Sequence, residues 1–319
     1  MIKYAIKRVL LLIPILLAVS VIVYTLLDLA PGSIVESMVS EGMTQEQLEA
    51  LMKQYNLDKP VLYRYGLYML KLFQGDLGKS DYTGLSVWSI YISRLPNTLE
   101  LALASLIFGA SFSIPLGILA ARKAGTLIDN AVTLVTLIGM SMPGFWLGLL
   151  FLLQFALRWP ILPAGGNDHG IRSVILPAIC SGFMLMATAT RQTRSSMLDQ
   201  LNADYLRTAR AKGVPEKVVI RKHALRNALI PILTTLGGNL CFAISGSAVI
   251  ESVFTWPGVG RTAVEAVVSR DVTMTMGTTI MTTVLYVLIQ LGVDLMYAMV
   301  DPRIKSQYAN PNRRRRRTA

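Results

Sequence analysis

Six stretches of the chain carry no Asp, Glu, Lys or Arg: Val9 to Leu27, Leu101 to Ala121, Asn130 to Leu157, Ser173 to Thr190, Asn227 to Ile250 and Val272 to Val293. A helix needs about 20 mostly apolar residues to cross about 30 Å of hydrocarbon. One ionised side chain at mid-span costs about 2.5 to 3.5 kcal/mol on insertion scales, so six centres without any have a physical cause. The expected fold class is therefore an all-α membrane protein with six transmembrane helices. Composition agrees, because 53% of the 319 residues are hydrophobic and only 16% are charged, against about 25% charged in soluble domains. A buried soluble helix explains one such run but not six.

Lys3, Lys7 and Arg8 precede the first run as they would in a signal peptide, but that run is long and ends in no small-x-small cleavage site. It reads as a retained helix. With the N-terminus inside, 21 basic residues fall on the cytoplasmic side and ten outside, six of these ten in one long segment. The positive-inside rule discounts long segments, so orientation is set by the short loops and both termini are expected in the cytoplasm. The chain then divides into an N-terminus and first span (1–27), an external segment (28–98), a core of spans two to six (99–300) with a cytoplasmic loop (191–226), and a basic tail (301–319). On a polytopic chain of net charge +12, the tract from Arg313 to Arg317 meets anionic lipid or fixes topology; it is not read as binding nucleic acid.

In the external segment, Thr44 and Gln47 form a capping box, followed by Leu48, Leu51, Met52 and Tyr55 at helical spacing. A second helix is expected from Pro60 to about Gln74, before Gly75; whether the two pack together or lie on the membrane is left open. Gly78-Lys79-Ser80 ends like a phosphate-binding loop, but Phe73 stands where that pattern requires glycine. His169 and His223, the only histidines, fall on opposite sides of the membrane, and Cys180 and Cys241 sit in separate apolar runs. Neither a metal centre, a disulfide framework nor a catalytic dyad is expected, and the chain reads as non-catalytic. Asp294 lies at the end of the sixth run, where snorkelling or a helix-end contact is its expected role. Pro14, Pro115, Pro143, Pro177 and Pro231 fall within five of the runs. Each removes a backbone donor, and such breaks persist where neighbouring helices or a wet cavity satisfy the freed carbonyl.

The loop 191–226 is too patterned to be a tether. Asp204 is expected to cap a short helix through Lys212, which Gly213 ends; Val214-Pro215-Glu216 then opens a second helix running on into the fifth span. The stretch from Glu251 to Asp271 is too short and too charged to span, and is expected to form a turn and a short helix at the outer mouth. Trp256 there has two open roles, contact with a docked protein or an interfacial anchor.

The segment Asp204-Tyr205-Leu206-Arg207-Thr208-Ala209-Arg210-Ala211-Lys212-Gly213, with Arg221-Lys222-His223-Ala224-Leu225-Arg226-Asn227-Ala228-Leu229-Ile230-Pro231, resembles the coupling loop of binding-protein-dependent ABC importer permeases of the dipeptide, oligopeptide and nickel branch. The resemblance extends to Leu29-Ala30-Pro31-Gly32, Gly75-Asp76-Leu77-Gly78, Leu95-Pro96-Asn97-Thr98-Leu99-Glu100, Met142-Pro143-Gly144-Phe145-Trp146, Glu251-Ser252-Val253-Phe254-Thr255-Trp256-Pro257-Gly258-Val259-Gly260-Arg261 and Asp301-Pro302-Arg303-Ile304. Each is weak alone; their order and spacing are specific.

The resemblance implies a type I importer permease in a bacterial cytoplasmic membrane, paired with a second similar permease, two cytoplasmic ABC ATPase subunits and an extracytoplasmic solute-binding protein. ATP and magnesium would be bound by the ATPases, and no cofactor by this chain. The resemblance assigns Asp204, Arg207, Ala209, Arg210, Ala211, Lys212, Gly213 and Pro215 to ATPase coupling. Glu251, Phe254, Trp256, Pro257, Gly258, Gly260 and Arg261 would form the external gate and binding-protein contact. Arg207 or Thr208 stands where many members carry a glutamate, so a contact requiring a carboxylate is not expected there. The expected cargo is a di- or oligopeptide; a nickel or metal chelate is the alternative within the family, and a self-contained secondary transporter or channel the alternative outside it.

Overall fold

A computed structural model of the chain describes residues 2–30, 45–54, 56 and 58–300. It is helical throughout the spans: α1 (Ile2–Leu29), α2 (Gln45–Gln54), α3 (Val61–Phe73), α4 (Val87–Arg122), α5 (Leu127–Ser141), α6 (Gly144–Phe151), α7 (Ile171–Leu201), α8 (Asp204–Ala211), α9 (Glu216–Val218), α10 (Leu225–Val253), α11 (Val259–Val268) and α12 (Val272–Val300). A π-helical stretch, Leu152–Arg158, extends α6, and a second, Val219–Ala224, joins α9 to α10.

α1, α4, α7, the continuous α9–α10 and α12 are long and apolar enough to cross a membrane, and α5 with α6 makes a sixth crossing only as a pair bent by 99°. The run from Asn130 to Leu157 is therefore broken at this corner, and the expected six spans are reached with the bent pair taken as one. Pro143 has no N–H for the ladder and excludes its predecessor from helical geometry, so Met142 is extended at ψ 126°. Pro14, Pro115, Pro177 and Pro231 are instead absorbed inside their helices.

The tightest seam is between α4 and α7. A Cβ on Gly117 would collide with the Thr193 side chain, and one on Gly182 would stand 2.7 Å from the Ser105 carbonyl oxygen. Small residues let membrane helices approach until their backbones touch, and Ser105, Gly109 and Ser113 are likewise buried along α4.

α3 begins after Pro60 and ends before Gln74, as expected from sequence, and it packs against the spans. Tyr65 meets the edge of Tyr24 on α1 with ring centroids 5.5 Å apart and shares a 2.9 Å hydrogen bond with Ser20, while Arg64 pairs with Asp28 at 2.6 Å. Thr44 of the expected capping box lies outside the described residues, as do the motifs at 31–32 and 301–304 and the basic tail. Asp294 is not a snorkelling residue. It is buried, paired with Arg8 of α1 at 2.7 Å, and accepts a hydrogen bond from Gln290. Two apolar cores cap the bundle: Met197, Leu206, Val219, Ala224 and Ile232 at the end carrying α8, and Leu101, Leu147, Leu176, Phe254 and Trp256 at the other.

Candidate functional site

The loop after α7 folds as an elbow. The carbonyl of Ala203 opens α8, with no side-chain cap, so Asp204 does not cap the helix as expected. Asp204 stands one residue inside, its carboxylate exposed and 3.6 Å from Arg207. There it still favours the positive end of the helix dipole. Leu206 is fully buried and roots α8 in the apolar core, while the Tyr205 hydroxyl donates to Gln200 at 2.8 Å and accepts from Asn227 of α10 at 3.0 Å. Gly213 ends the helix with φ +76°, the left-handed region that costs a β-carbon-bearing residue about 1–2 kcal/mol. Nothing lies within 4 Å of where its Cβ would be, so glycine is required by the turn and not by crowding.

Across that turn, Arg210 donates to both carboxylate oxygens of Glu216 at 3.0 and 3.1 Å. Those hydrogen bonds raise the Arg210 pKa above its ordinary value. Pro215 precedes α9, and the path runs without a break into α10. The structure thus gathers every coupling residue named from sequence on one projection, with Arg207, Arg210, Ala211, Lys212, Gly213 and Pro215 exposed and Ala209 half-buried beneath them. One supporting contact was illegible in the sequence. Asp129, at the start of α5, accepts from Arg194 of α7 at 2.6 and 2.8 Å and from the Gly125 N–H at 2.9 Å. This fork–fork pair straps the 123–126 turn to the helix that leads into the elbow; in sequence Arg194 is one of nine basic residues in the loop and has no visible mate.

At the opposite end, α10 turns through Phe254–Gly258 into α11, the turn and short helix expected between Glu251 and Asp271. Trp256 fits neither of its expected roles: its side chain is 0% exposed and its indole N–H donates to the Asn97 carbonyl at 2.9 Å. Asn97 returns a bond from Nδ2 to the Pro257 carbonyl at 2.8 Å. Phe254 and Glu251 are buried as well. Glu251 accepts from Thr98 Oγ1 and from the Arg261 N–H, both at 2.8 Å, and its carboxyl occupies the space a Cβ on Gly258 would need. Gly260 packs against the Ala248 backbone, and Arg261 pairs with Glu265 at 2.7 Å. The two motifs Leu95–Glu100 and Glu251–Arg261 are therefore partners in one internal lattice, which spacing along the chain does not reveal.

The Gly75-to-Gly78 motif also finds its use here. Leu77 is buried against α12, and Ser80 donates to Asp271 at 2.5 Å. Asp271 accepts from the Met274 N–H at 2.8 Å and so caps α12. Burial, then the neighbouring Asp271 carboxyl, raises the Asp81 pKa above the usual carboxylate range.

The family described as binding-protein-dependent transport system inner membrane component matches residues 113–306, and its N-terminal membrane component matches residues 1–102. The chain is 39% identical over 315 residues to the oligopeptide transport system permease protein AppB of Bacillus subtilis, covering 96% of this chain and 100% of that relative. It is 36% identical over 335 residues to the di/tripeptide transport system permease protein DppB of Pseudomonas aeruginosa, covering 96% and 100%. In fold it is similar to the MetNI methionine ABC transporter in an inward-facing crystal form, with TM-score 0.57 at 18% identity, over 67% of this chain and 97% of that one. With family matches on both halves and relatives aligned over nearly their full lengths, the chain belongs to the binding-protein-dependent transport system inner membrane components, as an ABC permease.

Proposed function

We propose that this chain is one permease subunit of an ATP-driven importer of di- or oligopeptides, and that an ATPase subunit drives it by gripping the α8 elbow. The elbow carries the reading: a short helix exposed on one side and joined on the other by Leu206, Tyr205 and the Arg210–Glu216 brace to α7 and α10. A force applied to its outer face reaches two spans directly. Arg207, Lys212, Lys217, Arg221, Lys222 and Arg226 are exposed around it, a basic surface suited to an acidic groove.

In this reading the elbow faces the cytoplasm together with both termini, and two ATPases hold ATP and magnesium while this chain performs no chemistry. A second, similar permease completes the pathway. A solute-binding protein docks at the α11 end, where Thr255, Val264, Val267 and Val268 are exposed and Trp256 serves to hold the hairpin. The substrate class is supported by the relatives, which are named as oligopeptide, di/tripeptide and dipeptide permeases; a metal chelate is the alternative within the family. ATP moves the bundle only through differential contact with two states of the ATPase pair.

The test is a thiol at position 211. Cys180 and Cys241 are buried, so Ala211→Cys supplies the accessible target. In the assembled complex it is expected to cross-link to a cysteine placed in the ATPase groove, with a yield that changes on adding ATP. Labelling by an impermeant reagent from outside sealed right-side-out vesicles would overturn the proposal.

A further inference from the structure

Between the first turns of α4, the last part of α10, the start of α11 and the second to fourth turns of α12 lies a cavity of about 410 Å³ with no charged side chain in its lining. Its polar wall consists of hydroxyls: Ser245 and the four threonines between Thr278 and Thr283, Thr98 of the outer lattice, and the phenols of Tyr91 and Tyr286. Four of these are already committed as donors within their own helices. Ser245 donates to Cys241 at 3.1 Å, Thr278 to Met274 at 2.8 Å, Thr279 to Thr275 at 2.8 Å and Thr283 to Thr279 at 2.8 Å. A hydroxyl so oriented spends its proton and keeps oxygen lone pairs to offer. Tyr91 is the complement: its ring is 2% exposed and its hydroxyl makes no hydrogen bond of good length and angle among the described residues, the Thr282 hydroxyl being the one side chain near enough to interact with it. A buried phenol without a partner is costly unless something arrives to accept its proton.

We infer that this cavity is a subsite for the neutral main-chain amide of the transported peptide, whose N–H donates to the threonine oxygens and whose carbonyl accepts from Tyr91. The inference rests on the importer reading and adds the recognition chemistry. An amide is both donor and acceptor without charge, which matches a wall of serine and threonine oxygens facing the phenol donors Tyr91 and Tyr286. Leu95, Ile244 and Val259 supply apolar surface for side chains of any kind. With no Asp, Glu, Lys or Arg in the lining, the cavity grips what all peptides share and leaves the charged termini unread, so it tolerates differences in length.

The test uses the full complex in proteoliposomes with its binding protein saturated by radiolabelled tri-alanine, measuring uptake and stimulated ATP hydrolysis on the same vesicles. Tyr91→Phe and Thr279→Val are each expected to lower uptake per ATP by about threefold to tenfold, the loss of one hydrogen bond, with stimulated hydrolysis retained as proof of a folded complex. Thr279→Ser keeps the hydroxyl and is expected to restore uptake. Wild-type transport with uptake per ATP unchanged in both variants overturns the subsite, as does a Thr279→Ser variant no better than Thr279→Val. A wild-type complex that hydrolyses ATP yet moves no peptide overturns the importer reading and the subsite together.

Discussion

Thr98 and Glu251, 153 residues apart, are joined by a 2.8 Å hydrogen bond from Oγ1 to Oε1, and the same threonine oxygen accepts the Val259 N–H at 2.8 Å. One hydroxyl thus closes a ring through α4, the end of α10 and the start of α11. Both residues are at most 2% exposed, and water has no access to replace a lost partner.

Thr98→Val, which keeps shape and removes the hydroxyl, is expected to lower stability by about 1–3 kcal/mol, the range for leaving buried polar groups unsatisfied. Thr98→Ser should recover most of it. Thermal unfolding in detergent gives the comparison; equal midpoints for wild type and valine would remove Thr98 from the lattice.

Gly213→Val forces a β-branched residue into a left-handed turn. The turn is exposed and uncrowded, so the bundle should fold while α8 is tilted or frayed. Expected is near-normal membrane insertion and basal ATPase activity, with peptide uptake and its ATP coupling strongly reduced. Full coupling in the valine variant would dissociate this turn from energy transfer.

Breaking the Asp129–Arg194 fork tests the strap behind the elbow. In a double-mutant cycle, Asp129→Asn and Arg194→Gln should show a coupling energy of about 1 kcal/mol, at the upper end for pairs retaining some solvent access. Additive effects would indicate that the pair contributes no mutual stabilisation.

Asp81 gives a pH signature of known sign. Its folded pKa is raised, so the fold favours the protonated form. The associated stability is present below the ordinary carboxylate value of about 3.9 and is lost as pH rises through the raised folded value. Asp81→Asn retains an acceptor for the Thr273 N–H and carries no charge. Its unfolding midpoint should therefore match wild type below the ordinary carboxylate value and exceed it by a margin that grows as pH rises from there to the raised folded value; a constant offset across that window would contradict the sign.

The spans were legible because hydrocarbon imposes a rule on every residue of a run, and Gly213 and Pro215 were legible because turns need particular backbone chemistry. The corner at Pro143 carried a readable signal in the proline, but a kink and a 99° break differ only in what surrounds them. Asp204 misled because cap and first-turn positions favour the same side chain. Trp256 misled because an aromatic near a membrane surface has an external use by default, and only the position of Asn97 shows that it is internal. The Asp129–Arg194 and Arg8–Asp294 pairs join separate helices, so no periodicity marks them.

The seam at Gly117 and Thr193 limits how such a bundle can move. Two helices meshed with no clearance cannot slide past one another by even one residue without driving a methyl group into a backbone, so α4 and α7 must travel as a single slab. In the proposed importer, deformation is therefore expected where the helical ladder is already loosened, at the π-helical stretches Leu152–Arg158 and Val219–Ala224, the second of which would put a flexing joint directly beside the elbow.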